Sequence, residues 1–310
     1  MDLEHWWLSE PFRSEHYDQQ TLPAAAAGLL AQQGTVLGVD AGGTGSRAVL
    51  IVNGTIERHY CGPPLNALLH GQAGTVLAEL LLAHRVDAAG IGLPGIGRHA
   101  ALGAQLATEL ETITDSRVRV ATDSVVAWLG AFLGAPGIVV IGGTGSVAMG
   151  GYRPPLTQAR GYGYLLGDEG SGYWIGNQGL RAALAAADHS GPPTALPEYL
   201  TSAAGCSLDE LVVRIYQNPG DRLVLAQLAP VVAAAADTGN DPVAQQVIDS
   251  AAAELAGLAK MLTSQLGDLP VVGSGRVFRI RRIWNTFATL TGARHPAVPP
   301  EIGAALLATL

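Results

Sequence analysis

Hydrophobic and polar positions follow one another in short, strand-like runs once the chain reaches residue 35. The first run, Thr35–Val39, ends at Asp40. Two further runs, Arg47–Val52 and Thr55–Tyr60, are joined by Asn53-Gly54, a dipeptide typical of a tight hairpin turn. Beyond them, helical and strand-like periodicities alternate. They predict a helix at 73–84, a strand at 86–93, a helix at 100–111, a strand at 118–122 and a helix at 124–133.

The same pattern restarts after residue 134. Strand-like runs at 137–141 and 147–150 enclose a glycine-rich turn, and the rest of the chain is mainly helical. Helices are predicted at 173–187, 208–217, 223–236 and 241–266, and a further strand at 270–273. Residues 276–282 interleave basic and apolar side chains, as one solvated face of a helix does. This mixture, with a repeated half, indicates an α/β architecture in two lobes.

The pentapeptide Gly-Gly-Thr-Gly-Ser occurs twice, at 42–46 and 142–146, each time between strand-like runs. A duplicated unit accounts for such a repeat. A glycine-rich turn exposes backbone N–H groups and lets a phosphate approach closely, and Thr and Ser hydroxyls add donors. Two such hairpins facing each other would clamp the β- and γ-phosphates of a nucleotide; alternatively, each is only a tight turn. The candidate phosphate-binding residues are Gly42, Gly43, Thr44, Gly45, Ser46, Gly143, Thr144 and Gly145.

These turns differ from two common nucleotide-binding motifs. No lysine follows the glycines, so neither turn is a P-loop. The first turn leads into a strand rather than a helix, which argues against a dinucleotide-binding Rossmann site.

Two carboxylates lie where predicted strands end. Asp40 would supply an oxygen ligand to Mg²⁺, directly or through water. Asp123 precedes a predicted helix, where it acts either as a helix N-cap or as a base that takes the proton of an acceptor hydroxyl.

Other candidates lie in loops. Asp168 belongs to the glycine-rich segment 161–172, whose adjacent carboxylates suit hydroxyl recognition or an N-cap. Asn66 follows two prolines and is typical of a turn. Gly273, Ser274 and Gly275 follow an apolar strand, where they let the backbone pass close to an adenine or simply form a turn into a helix.

Composition narrows the classes of function. Of 310 residues, 48% are hydrophobic and 14% charged, and the net charge of −8 argues against a nucleic-acid surface. The two cysteines, Cys61 and Cys206, are far apart and form no CxxC, so neither a disulfide framework nor a Cys-ligated metal is expected. No apolar run has membrane-spanning length, and the acidic start is unlike a signal peptide. We therefore expect a cytoplasmic protein that binds neither nucleic acid nor membrane.

The set of motifs resembles the N-acetylglucosamine kinase group of the BadF/BadG/BcrA/BcrD ATPase family, within the sugar kinase, Hsp70 and actin superfamily. The motifs that carry the resemblance occur in the same order: Asp40–Ser46, Thr122-Asp123, Gly142–Ser146, Gly161–Gly172 and Val272–Gly275. It covers the chain from residue 36 to the C-terminus. The repeated turn is typical of the whole superfamily, whereas the motif at 161–172 is more specific to this group.

The resemblance implies a two-lobed, actin-like (ribonuclease H-like) fold with duplicated domains and an interdomain cleft. Residues 35–134 would form the first lobe, joined by a final helix at 303–310, and residues 135–302 the second. Residues 1–34 would be an N-terminal extension of unknown role.

The resemblance also implies an ATP- and Mg²⁺-dependent kinase, a homodimer, that phosphorylates the 6-hydroxyl of N-acetylglucosamine or glucosamine. Asp40 and Thr44 match the first phosphate motif, Thr144 and its neighbouring glycines the second, and Gly273–Gly275 the adenosine motif. Asp123 matches the catalytic aspartate. The residues that match amino-sugar contacts are Asn66, Asp123, Gly161, Tyr162, Gly163 and Asp168.

Two alternatives remain open. One is an ATP-driven activase that works on a partner protein, although neither cysteine lies in the Cys-Gly context at a helix start that would hold an iron–sulfur cluster. The other is a catalytically silent sugar or nucleotide sensor, which the presence of both Asp40 and Asp123 disfavours.

Overall fold

The computed structural model describes residues 21–42, 45–62, 64–65, 70–218, 222–238 and 240–310. The chain divides into two compact units. Of the described residues, the first unit contains 21–139, 149–156 and 295–310, and the second unit contains 140–148 and 157–294. Across the described ranges, none of the helices has the length and apolar character needed to cross a lipid bilayer.

The chain mixes strands and helices, as expected for the α/β class. The strands are β1 Thr35–Ala41, β2 Ser46–Val52, β3 Thr55–Gly62, β4 Ala88–Leu93, β5 Arg117–Thr122, β6 Gly137–Gly142, β7 Ser146–Gly151, β8 Thr157–Arg160 and β9 Val271–Ser274. The helices are α1 Ala24–Ala31, α2 His70–His84, α3 Ala100–Thr114, α4 Asp123–Phe132, α5 Gly172–Ala187, α6 Leu196–Ala204, α7 Leu208–Gln217, α8 Arg222–Ala226, α9 Ala229–Asp237, α10 Pro242–Leu266, α11 Arg281–Thr291 and α12 Pro300–Leu307.

The first unit is built on a five-stranded sheet with the order β3-β2-β1-β4-β5. Strands β1, β2 and β3 form an antiparallel meander, whereas β4 and β5 run parallel to β1. Asn53 and Gly54 both have positive φ at the β2–β3 turn, as a two-residue hairpin requires. The hairpin predicted at this dipeptide is therefore confirmed.

Both faces of this sheet are covered. Successive strand residues point to opposite faces, so Leu37 and Val39 of β1 pack in one core cluster with residues of α2 and α3. Val36 packs in the other cluster, with Leu30 of α1 and Ile302 of α12. Helix α1 is thus part of the core of the first unit, although it falls within the 1–34 segment that the sequence analysis set apart.

Helix α12 lies unusually close to the sheet because glycines face it. Gly38 of β1 pairs with Gly90 of β4, and a Cβ on either residue would overlap backbone atoms of α12. A Cβ on Gly303 of α12 would in turn overlap the carbonyl oxygen of Val126 in α4. The absence of side chains at Gly38 and Gly90 sets the distance between the sheet and α12. The same absence at Gly303 sets the distance between α12 and α4.

The second unit combines the four-stranded sheet β8-β7-β6-β9, to which it contributes residues 140–142 of β6 and 146–148 of β7, with helices α5–α11. The long helix α10 is held to α11 by a bidentate ion pair, in which Arg282 donates two hydrogen bonds of 2.7 Å to the Asp249 carboxylate. A two-pronged arginine–carboxylate contact fixes direction as well as distance.

Several predicted elements differ from the structure. The helix expected at 223–236 is two helices, α8 and α9, because Pro230 lacks the N–H that a continuing helix requires and instead occupies the first turn of α9. The basic segment 276–282 is not one helix: a 3₁₀ turn, Arg276–Arg279, is followed by an extended residue, Ile280, before α11 begins. Strand β8 and helix α6 were not predicted.

The close contact between α12 and α4 at Gly303 can be tested by its effect on stability. Gly303→Ala should lower the free energy of unfolding by about 1 to 3 kcal/mol, since the new methyl group meets backbone that cannot rotate away. The matched control is Gly257→Ala in α10, where no atom lies within 4 Å of the new Cβ. That change should stabilise the helix by roughly 0.5 to 1 kcal/mol. Thermal and urea unfolding of the two variants measure both effects; shifts of the same sign would contradict the packing argument.

Candidate active site

Asp40 lies near the end of β1, on the same face of the sheet as Gly38 and therefore on the side covered by α12. Burial raises the pKa of Asp40 well above its usual value, and the negative charges of Glu301 and Asp123 raise it further, while Arg47 lowers it. Glu301, at the start of α12, is only 5% exposed, and its Oε2 has no hydrogen-bond partner. The fold therefore gathers carboxylates around the end of β1.

Sequence reasoning missed Glu301. It stands at the head of the apolar segment 301–308 and is the only charged residue there, which was the available signal. Its proximity to Asp40 depends on the packing of α12 against β1, and nothing local to the sequence shows that packing.

Asp123 is the first residue of α4, directly after β5. The N-cap alternative for Asp123 is wrong: Thr122 caps the helix, and its hydroxyl accepts the Val125 N–H at 3.2 Å. Oδ1 of Asp123 accepts the Ser124 N–H at 2.8 Å. Burial raises the pKa of Asp123 to about 6, against the opposing effect of hydrogen bonds from the backbone amides of Ser124 and Asp123 itself. Asp123 is therefore a half-buried carboxylate that the helix cap does not require.

The first glycine turn connects β1 to β2. It is closed by a hydrogen bond from the Gly42 N–H to the Gly45 carbonyl at 3.0 Å, and Ser46 begins β2. Two of its predicted phosphate contacts, Gly43 and Thr44, lie outside the described residues, as does the predicted sugar contact Asn66.

The second glycine turn connects β6 to β7 and is closed by a different backbone hydrogen bond. Here the Gly143 N–H donates to the Gly145 carbonyl at 2.9 Å, which places half-buried Thr144 at the tip. The start of α5 is tied to this turn, because the Gly172 N–H donates to the Gly143 carbonyl at 2.8 Å. The duplicated pentapeptide thus forms a strand–turn–strand hairpin in both places.

Asp168 holds the 161–172 loop to the second hairpin. Its side chain is 3% exposed, Oδ1 accepts the Ser146 N–H at 3.1 Å, and Oδ2 is buried without a partner. Burial raises the pKa of Asp168, whereas the Ser146 hydrogen bond and the charge of Arg222 lower it. The N-cap alternative for these carboxylates is wrong as well, since Ser171 caps α5 by accepting the Trp174 N–H.

The glycines of this loop allow its path. Gly161 and Gly163 have φ of 73° and 84°, in the left-handed region that favours glycine, and Tyr162 between them is 57% exposed. The structure therefore connects Asp168 to the second hairpin and leaves Tyr162 largely exposed to solvent.

The segment Gly273–Gly275 ends β9 and enters the 3₁₀ turn. Gly275 has φ of 105°, and a Cβ there would overlap the carbonyl oxygen of Gly142 at the start of the second hairpin. Gly273 packs against an aromatic cluster that includes Phe278 and Phe287. Ser274 is buried. The geometry accordingly explains the glycines by close packing, while contact with adenine stays a prediction.

The strand orders, the duplicated glycine hairpin and the carboxylate near the end of β1 define an actin-like ATPase of the sugar-kinase class. Solved structures with this fold include a candidate N-acetylglucosamine kinase from Chromobacterium violaceum, with a TM-score of 0.74 and 27% identity, covering 88% of this chain and 98% of that one. The chain belongs to the BadF/BadG/BcrA/BcrD ATPase family, whose model matches residues 37–308. The predicted family and fold are thereby confirmed.

Further relatives extend the comparison. An N-acetylmuramic acid/N-acetylglucosamine kinase from Clostridium acetobutylicum is 27% identical over 291 residues, covering 85% of this chain and 92% of the relative. An N-acetyl-D-glucosamine kinase from Dictyostelium discoideum is 34% identical over 134 residues, 42% of each chain. The fold is also that of a ROK-family glucokinase from Streptomyces griseus, with a TM-score of 0.59 and 19% identity over 89% of this chain and 98% of that one.

The raised pKa of Asp123 predicts how the free energy of unfolding depends on pH. Its folded pKa of about 6 lies above its ordinary value of 3.8, so the folded state holds the proton more tightly than the unfolded state. The stabilisation from this proton is complete below the unfolded pKa and is lost as pH rises through about 6. Asp123→Asn should therefore gain about 2 kcal/mol of unfolding free energy, relative to the wild type, between roughly pH 4.5 and pH 8.

Urea unfolding at both pH values measures this gain. Asp115→Asn, which removes an exposed carboxylate from the same unit, is the matched control. A gain that does not change with pH would show that Asp123 is not held in an environment unfavourable to its charge.

Proposed function

We propose that the chain transfers the γ-phosphoryl group of ATP to the 6-hydroxyl of an amino sugar, with N-acetylglucosamine ahead of glucosamine. The substrate class is supported by the names of the relatives from Clostridium acetobutylicum and Dictyostelium discoideum, both amino-sugar kinases. The observation that carries the proposal is the environment of Asp123, a half-buried carboxylate with a raised pKa that does not cap its own helix.

In the proposed reaction, the hydroxyl oxygen forms a bond to the γ-phosphorus while the bond from that phosphorus to the β–γ bridging oxygen breaks, and ADP leaves. The hydroxyl proton passes to the Asp123 carboxylate. A base with a pKa of about 6 is mostly ionised at neutral pH, yet it binds a proton more strongly than an ordinary aspartate. The hydrogen bond from Ser124 to Oδ1 fixes the orientation of the carboxylate.

Each glycine hairpin is assigned to phosphate binding. Hairpins that expose backbone N–H groups form concave sites for anions. In the second hairpin, Thr144 at the tip would add a hydroxyl donor, and the hydrogen bond between Gly143 and Gly145 holds the turn in shape.

Asp40 is assigned to Mg²⁺, directly or through water. The residues fit a cation: burial and the neighbouring charges of Glu301 and Asp123 make an ionised Asp40 unfavourable, and a divalent cation reverses that effect. When bound, Mg²⁺ neutralises charge on the phosphates. Asp40 serves to hold it.

Replacement of Asp123 tests the base. Asp123→Asn keeps the size and an acceptor oxygen but cannot take the proton, so kcat should fall by about 10² to 10⁴. Affinities for ATP and sugar, measured by calorimetry, should change little, because the side chain retains its shape and polarity.

Thr122→Ala is the matched control for Asp123→Asn. It removes the cap of the same helix and should lower the unfolding free energy by about 1 kcal/mol while kcat stays near normal. If folded Asp123→Asn turned over at more than about a tenth of the wild-type rate, Asp123 would not be the base.

A second test, of sugar binding, uses two variants of Asp168. Asp168→Asn retains an oxygen to accept the Ser146 N–H but loses the second carboxylate oxygen, Oδ2, which has no protein partner. The KM for the sugar should rise by about 10- to 100-fold with the KM for ATP nearly unchanged. Asp168→Ala, in contrast, removes the bond to the hairpin as well and should raise both KM values. If Asp168→Asn raised the KM for the sugar and the KM for ATP equally, as is expected of Asp168→Ala, Asp168 would only hold the loop to the hairpin.

A further inference from the structure

Glu301 is a buried carboxylate to which the proposed mechanism gives no ligand. Only 5% of the residue is exposed, and among the described residues its Oε2 has no hydrogen-bond partner. Proteins rarely leave a carboxylate oxygen buried in this way, because the free energy lost on leaving water is not recovered by any contact. An oxygen in this state is suited to bind a cation.

The packing of α12 brings Glu301 to the face of the sheet that carries Asp40. A Cβ on Gly38 would overlap the carbonyl oxygen of Glu301, so the backbone of Glu301 lies directly on β1. Gly38 and Asp40 are two residues apart in this strand, about 7 Å along it, and their side-chain positions share one face. The charge of Glu301 reaches Asp40, whose pKa it raises more than the charge of Asp123 does.

Glu301 lies in the first turn of α12, where a negative charge is least costly to bury. Pro299 precedes the helix, and no side chain caps it. The partial positive charge at a helix N-terminus favours a carboxylate there. This interaction also gives Glu301 an alternative, purely structural role.

We propose that Glu301 is a second carboxylate, beside Asp40, that holds the Mg²⁺ ion of the bound nucleotide. The inference rests on the assignment of Asp40 to Mg²⁺ in the proposed function and deepens it. In nucleotide-dependent enzymes, Mg²⁺ is usually bound by one or two carboxylates and by substrate phosphates, and it keeps several waters. Within the described ranges, no group of three or more His, Cys, Asp or Glu side chains could hold a metal ion. Phosphates and water would therefore supply the remaining ligands.

The charge of Glu301 should have opposite effects on nucleotide binding with and without the metal. Without Mg²⁺, it repels the phosphates that are assigned to the glycine hairpin after Asp40. With Mg²⁺, it attracts the cation and so strengthens binding. A side chain that only stabilised its helix would not produce this reversal of sign.

The experiment measures the Kd of ADP by calorimetry, in excess Mg²⁺ and in EDTA, for the wild type, Glu301→Gln, Glu301→Asp and Glu57→Gln. This binding readout does not depend on turnover. Glu57 is an exposed residue of β3 in the same unit, so Glu57→Gln controls for the loss of one negative charge. Melting temperatures show that each variant is folded. Glu301→Asp keeps the charge on a shorter side chain and decides the question if the glutamine variant does not fold.

In the wild type, the Kd of ADP in EDTA should be well above the Kd in Mg²⁺. We expect Glu301→Gln to reduce the ratio of these two values by about 10-fold or more, with weaker binding in Mg²⁺ and tighter binding in EDTA. Glu301→Asp should lie between the wild type and Glu301→Gln, and Glu57→Gln should keep the wild-type ratio.

The inference fails, with the proposed function intact, if ADP binding by the wild type depends on Mg²⁺ and the Glu301 variants keep the wild-type ratio. It also fails if they lose affinity equally under both conditions, or if Glu57→Gln reduces the ratio as much. If the wild type bound ADP equally with and without Mg²⁺, the assignment of Asp40 and this inference would both be overturned. If it bound no ADP, the proposed function would be overturned with them.

Discussion

The first unit depends on close contact between backbones at glycine residues. Gly38 and Gly90 form a bare patch across β1 and β4, and α12 can approach only because that patch has no side chains. Gly303 then lets α4 press against α12 in the same way. Asp40, near the end of β1, and Asp123, at the start of α4, are both half-buried in this unit. Burial raises the pKa of both carboxyls, and for Asp40 the negative charges of Glu301 and Asp123 add to the effect.

In the second unit, the Asp168 carboxylate joins the 161–172 loop to the glycine hairpin. Oδ1 of Asp168 holds the amide of Ser146, at the foot of the glycine hairpin, while Oδ2 stays buried and unpaired. The loop that contains Asp168 is therefore joined to the hairpin, and the Ser146 hydroxyl adds a second bond by donating to the Glu169 carbonyl at 2.8 Å.

Much of this arrangement could be predicted from the sequence, because its signals are local. The Asn53-Gly54 turn, the duplicated pentapeptide and the strand-to-helix position of Asp123 each lie within a few residues. The features that were predicted wrongly or missed depend on contacts between residues far apart in the sequence, or on which of two neighbouring residues takes a role. Thr122 and Asp123 are both able to cap a helix, and only the structure shows that Thr122 does. The approach of Glu301 to Asp40 required the packing of α12. The homodimer and the cytoplasmic location stay predictions.

A catalytic base must satisfy two opposed requirements, and in the proposed reaction Asp123 would meet both. Its proton affinity must be high enough to draw a proton from a hydroxyl, yet the group must be ionised when the substrate arrives. An ordinary aspartate, with a pKa near 3.8, meets only the second requirement; a fully buried one would be permanently protonated and meet only the first. Burial raises the pKa of Asp123 to about 6, and the Ser124 amide limits the rise. If Asp123 also had to cap α4, an additional amide hydrogen bond would lower that value further; because Thr122 is the cap, the pKa of Asp123 does not undergo this extra lowering.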